Sequence, residues 1–258
     1  MGAVNKLLFQ PPDVSYVHAK NRSIWLRNAS NIEIPGFLIE KRSKIFVLFS
    51  HGNAEDLGMV YDFCCDFAEK LQVNMLAYDY TGYGHARLSG DPTETACYED
   101  ISAAYKYLVD QVQVAPANII VFGRSLGSGP STYLVERLQS QDVTVGGLVL
   151  QSPFMSVFRV AFSFRFTLPW DMFPNIDRIP TLSTCPIFII HGTRDEIVPF
   201  QNGERLFLAA PISVRAKPAW IDGGGHNNLE STFQTEYFLC FREFLLEWVP
   251  VYSSTAVS

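Results

Sequence analysis

Strand-like apolar runs alternate with helix-spaced segments along this chain, and that alternation constrains the fold more than any other feature. The runs are "KIFVLFS", "VNMLAYDY", "ANIIVFG", "VGGLVLQS", "PIFIIHG" and "KPAWIDG". "KIFVLFS" is apolar almost throughout, the mark of a strand buried on both faces. Between the runs, the stretch around Val60 to Leu71, "TACYEDISAAYKYLVDQV" and "STYLVERLQ" carry helical apolar spacing. "STFQTEYFLCFREFLLEWV" reads as a final amphipathic helix. Two short strands are expected near the start, "SYVHAK" and "IEIPGFLIE", the second with a bend or edge feature at Pro35-Gly36. Strands alternating with helices demand right-handed crossovers, so the fold class is α/β, a mostly parallel central sheet with helices on both faces. Ligands of such sheets sit beyond the C-terminal strand ends, and the chemistry is expected just after each strand.

The stretch "FGRSLGSGP" follows one of those runs and leads into a helix. Within it, Gly123-Arg124-Ser125-Leu126-Gly127 fits G-x-S-x-G, a turn so tight that only glycine fits beside the serine and the hydroxyl is pushed outward. After "PIFII" comes "HGTRDEIVP", with Asp195 and its neighbour Glu196; after "KPAWID" comes "GGGHNN", with His226. A serine, an acid and a histidine therefore fall on strand-end loops in the order Ser…Asp…His, one of three orders in which serine hydrolases carry this set. A serine hydroxyl is a weak nucleophile at neutral pH. A histidine that takes its proton makes it competent, and an acid fixes the imidazole tautomer. Ser125, Asp195 and His226 are the candidate catalytic residues, with Glu196 as the rival acid. A tetrahedral oxyanion also needs amide donors. Leu126, next to the nucleophile, would supply one, and the "HGNA" loop the other, through Asn53 or alternatively Ala54. His51 and His191, each followed by glycine at a strand end, read as structural, and Arg124 as packing or loop support.

Composition excludes several classes. At 258 residues, 48% hydrophobic and without a linker-like stretch, the chain suits one domain over residues 1–258. A net charge of -6 and no basic run make nucleic acid an unexpected partner. The five cysteines are irregularly spaced, which argues for a reducing compartment rather than a disulfide framework, and adjacent Cys64 and Cys65 read as ordinary helix residues. No C-x-x-C or H-E-x-x-H pattern occurs, so neither a metal nor another cofactor is expected. No signal peptide or spanning helix is apparent. Gly2 has Lys6 where a myristoylation start needs Ser or Thr.

The segments "SHGNAEDLG", "AYDYTGYG", "GDPTE", "VFGRSLGSGPS", "LQSPFMSVFRVAF", "HGTRDEIVPFQNGERL" and "GGGHNNLE" together resemble the α/β-hydrolase superfamily over nearly the whole chain. More closely, the chain is similar to the ABHD17-type, Bem46-like group of serine hydrolases. The resemblance implies an α/β-hydrolase fold, no cofactor, and a protein depalmitoylase whose substrate is an S-acylated protein or another acyl ester. It supports Ser125, Asp195 and His226 as the triad, a cytoplasmic location and peripheral contact with a membrane. A general carboxylesterase, a lipase-like or peptidase-like enzyme, and an inactive binding module are the alternatives. Two features depart from the group: no cysteine precedes Cys64, where those relatives carry an N-terminal cluster, and Asn228 stands where an acid is common. A lid-like insertion is expected at about 154–184, dense in Phe, Met and Trp. It reads either as a helix packed on the core or as an acyl groove lined by Phe154, Phe158 and Phe162, with Arg159 and Arg165 facing headgroups or water.

Overall fold

A computed structural model describes residues 8–17, 23–161 and 171–255. Eight strands form one sheet: β1 (Ser23–Arg27), β2 (Glu33–Ile39), β3 (Phe46–Ser50), β4 (Asn74–Tyr78), β5 (Ile119–Arg124), β6 (Gly147–Gln151), β7 (Ile187–Gly192) and β8 (Ala219–Ile221). They lie in the order β1-β2-β4-β3-β5-β6-β7-β8. β1 and β2 pair antiparallel, β2 joins β4 antiparallel, and every other pairing is parallel.

The apolar runs are continuous because both faces of the sheet are covered. Side chains alternate across a strand. Leu48, Leu76, Val121, Leu148 and Ile189 point to one core, shared with buried residues of the helices Glu94–Lys106 (α2) and Ser128–Gln139 (α3). Val47, Met75, Ile120, Val149 and Ile190 point to the other, shared with Leu57–Leu71 (α1) and Gln234–Trp248. Asp56 caps α1 by accepting from the amides of Gly58 and Met59 at 3.1 Å.

The first strand departs from expectation. Residues 15–17 of "SYVHAK" have no regular structure, 18–20 lie outside the described residues, and the edge strand is "SIWLR". Its two faces differ, with Leu26 buried while Trp25 is 48% exposed. An exposed tryptophan blurs the alternation of apolar and polar residues that would mark such a strand. The helix expected over "TACYEDISAAYKYLVDQV" is α-helical only to Lys106 and then widens into a π-turn over Tyr107–Gln111. The C-terminal helix is broken at Phe233 into Leu229–Thr232 (four residues) and Gln234–Trp248. A helix over Gln201–Ala209, between β7 and β8, adds to the elements expected from the sequence.

Between β6 and β7 the chain forms a helix over Val157–Ala161, another over Asn175–Arg178 and a 3-10 turn over Ile179–Thr181. Phe154 is 4% exposed and packs edge-on against buried Phe173, with ring centroids 6.3 Å apart. It is therefore a core side chain rather than an open groove wall. Phe158 is half-buried. Phe162 and Arg165 lie outside the described residues.

Candidate active site

The chain leaves β5 at Arg124 and turns through Ser125–Gly127 into α3. Ser125 adopts φ +50°, a left-handed conformation that costs a non-glycine residue free energy and is tolerated where the surroundings enforce it. The glycines on either side are dictated by space. A Cβ on Gly123 would overlap the carbonyl of Gly127, and one on Gly127 would overlap the carbonyl of Ser50. Ser125 is half-buried at the head of the turn.

The three candidate residues meet. His226 Nε2 lies 3.0 Å from Ser125 Oγ, and its Nδ1 lies 2.8 Å from Asp195 Oδ2. Residues 101 positions apart are thus within hydrogen-bond reach across one imidazole. Asp195 is enclosed and heavily solicited. Its Oδ1 accepts from the amides of Ile197 at 3.0 Å and Val198 at 2.7 Å, and its Oδ2 lies 3.2 Å from His191 Nε2. Burial alone would raise its pKa. The hydrogen bonds from His191 and His226 outweigh burial and hold the carboxyl well below the usual range, so Asp195 is ionised when it faces His226. Glu196, the rival, accepts among the described residues only the His226 amide, at 3.2 Å. Asn228 accepts from the Gly225 amide at 2.8 Å and so ties the histidine loop.

His51 and His191 sit as structural residues, His51 against Tyr80 with centroids 4.4 Å apart and its Nδ1 2.8 Å from the Gly52 carbonyl. His191 does more than the sequence suggested, because its contact reaches the acid itself.

The "HGNA" loop faces the elbow, with the position of a Cβ on Gly52 3.8 Å from Ser125 Cβ. The amides of Asn53 and Leu126 donate no hydrogen bond to the described residues, which leaves them available to an oxyanion. The Asn53 side chain makes three bonds. Its Nδ2 donates to the Leu8 carbonyl at 2.6 Å; its Oδ1 accepts from the Gln10 amide at 3.0 Å and the Tyr83 hydroxyl at 2.6 Å. Residues 8–16 thus strap the loop, with Phe9 buried beneath them and Tyr16 bonded through its hydroxyl to Asp79. Little in the sequence announces this strap. Its apolar cue, "LLF", is too short to have a period.

Arg124 is 8% exposed and pairs with Glu55 and with Glu230. Neither acid stands out in the sequence, since each lies far along the chain from its partner. Among the described residues no cluster of three His, Cys, Asp or Glu could hold a metal, and no helix is long and apolar enough to cross a membrane.

Residues 41–170 match the family described as "Serine aminopeptidase, S33". The human "Alpha/beta hydrolase domain-containing protein 17B" is 36% identical over 255 residues, covering 88% of this chain and 85% of that protein. The 17C protein of Xenopus tropicalis is 39% identical over 209 residues, covering 81% of this chain but 64% of the relative. Among solved structures, the esterase Pf2001 of Pyrococcus furiosus superposes with a TM-score of 0.74 at 18% identity, over 93% of this chain and 97% of that one. Mouse alpha/beta hydrolase domain-containing protein 10 superposes at 0.64 with 16% identity, over 86% of this chain and 98% of that one. At these identities the structural likeness concerns the fold alone.

Proposed function

Because the chain belongs to the α/β-hydrolase family, we propose that it is a serine hydrolase in which Ser125, His226 and Asp195 form the catalytic triad and the amides of Asn53 and Leu126 form the oxyanion hole. The observation that carries this reading is the unbroken chain Ser125 Oγ–His226–Asp195 at 3.0 and 2.8 Å, built on a strained serine. In this reading His226 Nε2 takes the hydroxyl proton as Ser125 Oγ attacks an acyl carbonyl. The new oxyanion is held by the two amides. Collapse expels the leaving group, which receives the proton from His226, and leaves an acyl-Ser125. A water activated by the same imidazole then releases the acid.

The preferred substrate is a fatty acyl thioester on a protein cysteine. Support comes from similarity to the 17B and 17C proteins, whose group the sequence motifs resemble. A thiol leaves readily, since its pKa near about 8.5 asks little of the general acid. Membrane contact and a cytoplasmic site of action belong to the same proposal. So does a lid formed over about 154–184.

The test is labelling with a fluorophosphonate followed by hydrolysis of acyl thioesters of graded chain length. Labelling at Ser125, lost in Ser125→Ala, supports the triad; a labelled serine elsewhere, or none, sinks it. A rate that rises with chain length supports the palmitoyl reading, and a flat or falling profile assigns a general esterase instead.

A further inference from the structure

Arg124 sits immediately before the nucleophile and has no part in the proton transfers above. Its side chain is nonetheless held by two carboxylates and two aromatic rings. Nε and Nη2 engage both oxygens of Glu55, with Nε 3.2 Å from Oε2, a bidentate pairing of planar fork and carboxylate. Nη1 reaches Glu230 Oε1 at 2.7 Å. The guanidinium also lies over the rings of Phe49 and Phe63, 5.4 and 5.2 Å from their centroids.

Each carboxylate carries the connection onward. Glu55 Oε2 accepts from the Gly52 amide at 2.6 Å, one residue before the proposed oxyanion donor Asn53. Glu230, four residues after His226, accepts from Gln151 Nε2 at 3.2 Å at the end of β6. Gln151 in turn accepts from the Tyr237 hydroxyl at 2.8 Å on the C-terminal helix. The loop of the nucleophile, the loop of the oxyanion donor and the loop of the base therefore converge on one guanidinium. Burial works against charge on both Arg124 and Glu55, but their mutual attraction prevails: Glu55 is held below the usual carboxylate range and Arg124 above its ordinary value. The Arg124–Glu55 pair stays ionised.

We propose that Arg124, with Glu55 and Glu230, is a positioning cluster that sets the distance between Ser125 and the "HGNA" amides and the register of His226. The proposal rests on the triad reading above. The three loops meet at strand ends with no other shared side chain among the described residues that is bonded to both the "HGNA" loop and the segment after His226. A displacement of about 1 Å at a reacting centre can cost on the order of a hundredfold in rate. The cluster therefore affects the transition state, where oxyanion geometry matters, more than it affects substrate capture.

The experiment compares wild type with Arg124→Lys, Arg124→Met, Glu55→Gln and Glu230→Gln. Active sites are titrated with a fluorophosphonate so that rates refer to competent protein. With a short thioester, kcat per titrated site is expected to fall about tenfold to a hundredfold in Arg124→Met and Glu55→Gln, with KM within about twofold. Arg124→Lys should recover part of that loss, because a point charge keeps one of the pairings but not the fork. Affinity for an acyl trifluoromethyl ketone, which adds Ser125 and mimics the oxyanion, should fall in parallel with kcat/KM across the series. If Arg124→Met fails to fold, Arg124→Lys and Glu55→Gln carry the same comparison. Variants that lose melting temperature or titratable sites while keeping kcat per site would overturn the proposal, because the cluster would then be structural only. So would a rise in KM with kcat unchanged. Absence of labelling at Ser125 in wild type would instead remove the triad reading, and this inference with it.

Discussion

At the scale of single residues, the decisive question is which of two adjacent acids serves His226. Asp195 receives His226 Nδ1, His191 Nε2 and two backbone amides, whereas Glu196 receives one amide. Replacing Asp195 by asparagine puts an amide donor where donors already point and removes the charge that holds the tautomer. Asp195→Asn is therefore expected to lower kcat by about 10⁴, against a change of only a few fold, roughly, for Glu196→Gln. Steady-state rates of both variants on one ester check this, and the reverse ranking would reassign the acid. Ser125→Ala should lower kcat by on the order of 10⁶ while leaving the circular dichroism spectrum unchanged, since it replaces one half-buried hydroxyl. Much of this was legible in the sequence because the chemistry itself restricts residue type and order. Ser125, Asp195 and His226 each stand just past a strand, and topology then forces them to one edge of the sheet. The second histidine on Asp195 was not legible: His191 is a strand residue four positions earlier, and nothing in "IIHGTRDE" says that its ring turns toward the acid.

At the scale of elements, the loop after β3 depends on a segment that the sequence barely announces. Continuous apolar runs made the parallel strands legible, because burial on both faces leaves little room for polar residues. The strap over residues 8–16 lacks any such regularity, and its bonds to Asn53 run through backbone groups of Leu8 and Gln10 that carry no residue signature. Its effect can still be tested. Asn53→Ala keeps the backbone amide proposed to hold the oxyanion but removes the side chain that bonds the Leu8 carbonyl, the Gln10 amide and the Tyr83 hydroxyl. We expect kcat to fall about tenfold or more with KM little changed, since loop placement and not substrate contact is lost. Tyr83→Phe removes one of the three bonds and should cost less. Phe9→Ala removes a side chain 3% exposed, packed edge-on to Phe173. It should lower stability by about 3 kcal/mol in urea unfolding. Equal rates in Asn53→Ala and wild type would show that the strap does not govern the loop.

At the scale of the whole molecule, two buried carboxyl groups pull the pH dependence of stability in opposite directions. Asp100, on α2, is fully buried where α2 meets the β1–β2 turn and the loop after β4. It accepts from Thr81 N at 2.7 Å, Thr81 Oγ1 at 3.0 Å and Asn28 Nδ2 at 2.7 Å. Burial outweighs these bonds and pushes its pKa up to about 6 from 3.8. Between those values the folded chain holds a proton that the unfolded chain has released. Stability linked to Asp100 is therefore full below pH 3.8 and is lost as pH rises through about 6. The difference corresponds to about 3 kcal/mol for a group with no exposure to solvent. Asp195 runs the other way. Its folded pKa lies below 3.8, so the stability it contributes is present above that value and is lost as pH falls below it. As far as these two groups govern it, stability should peak near about pH 4, decline between about pH 4 and 6, and level off above that. Urea midpoints measured from pH 4 to 8 on wild type and on Asp100→Asn check the assignment. The substituted amide cannot titrate and offers one acceptor oxygen where three donors converge. Asp100→Asn should therefore be less stable than wild type at pH 4, with the gap closing by up to about 3 kcal/mol as pH rises from about 4 to 6 and constant above that. Parallel pH profiles for the two proteins would show that Asp100 is ionised in the folded state throughout, and that the decline toward neutral pH, if seen, arises from another group.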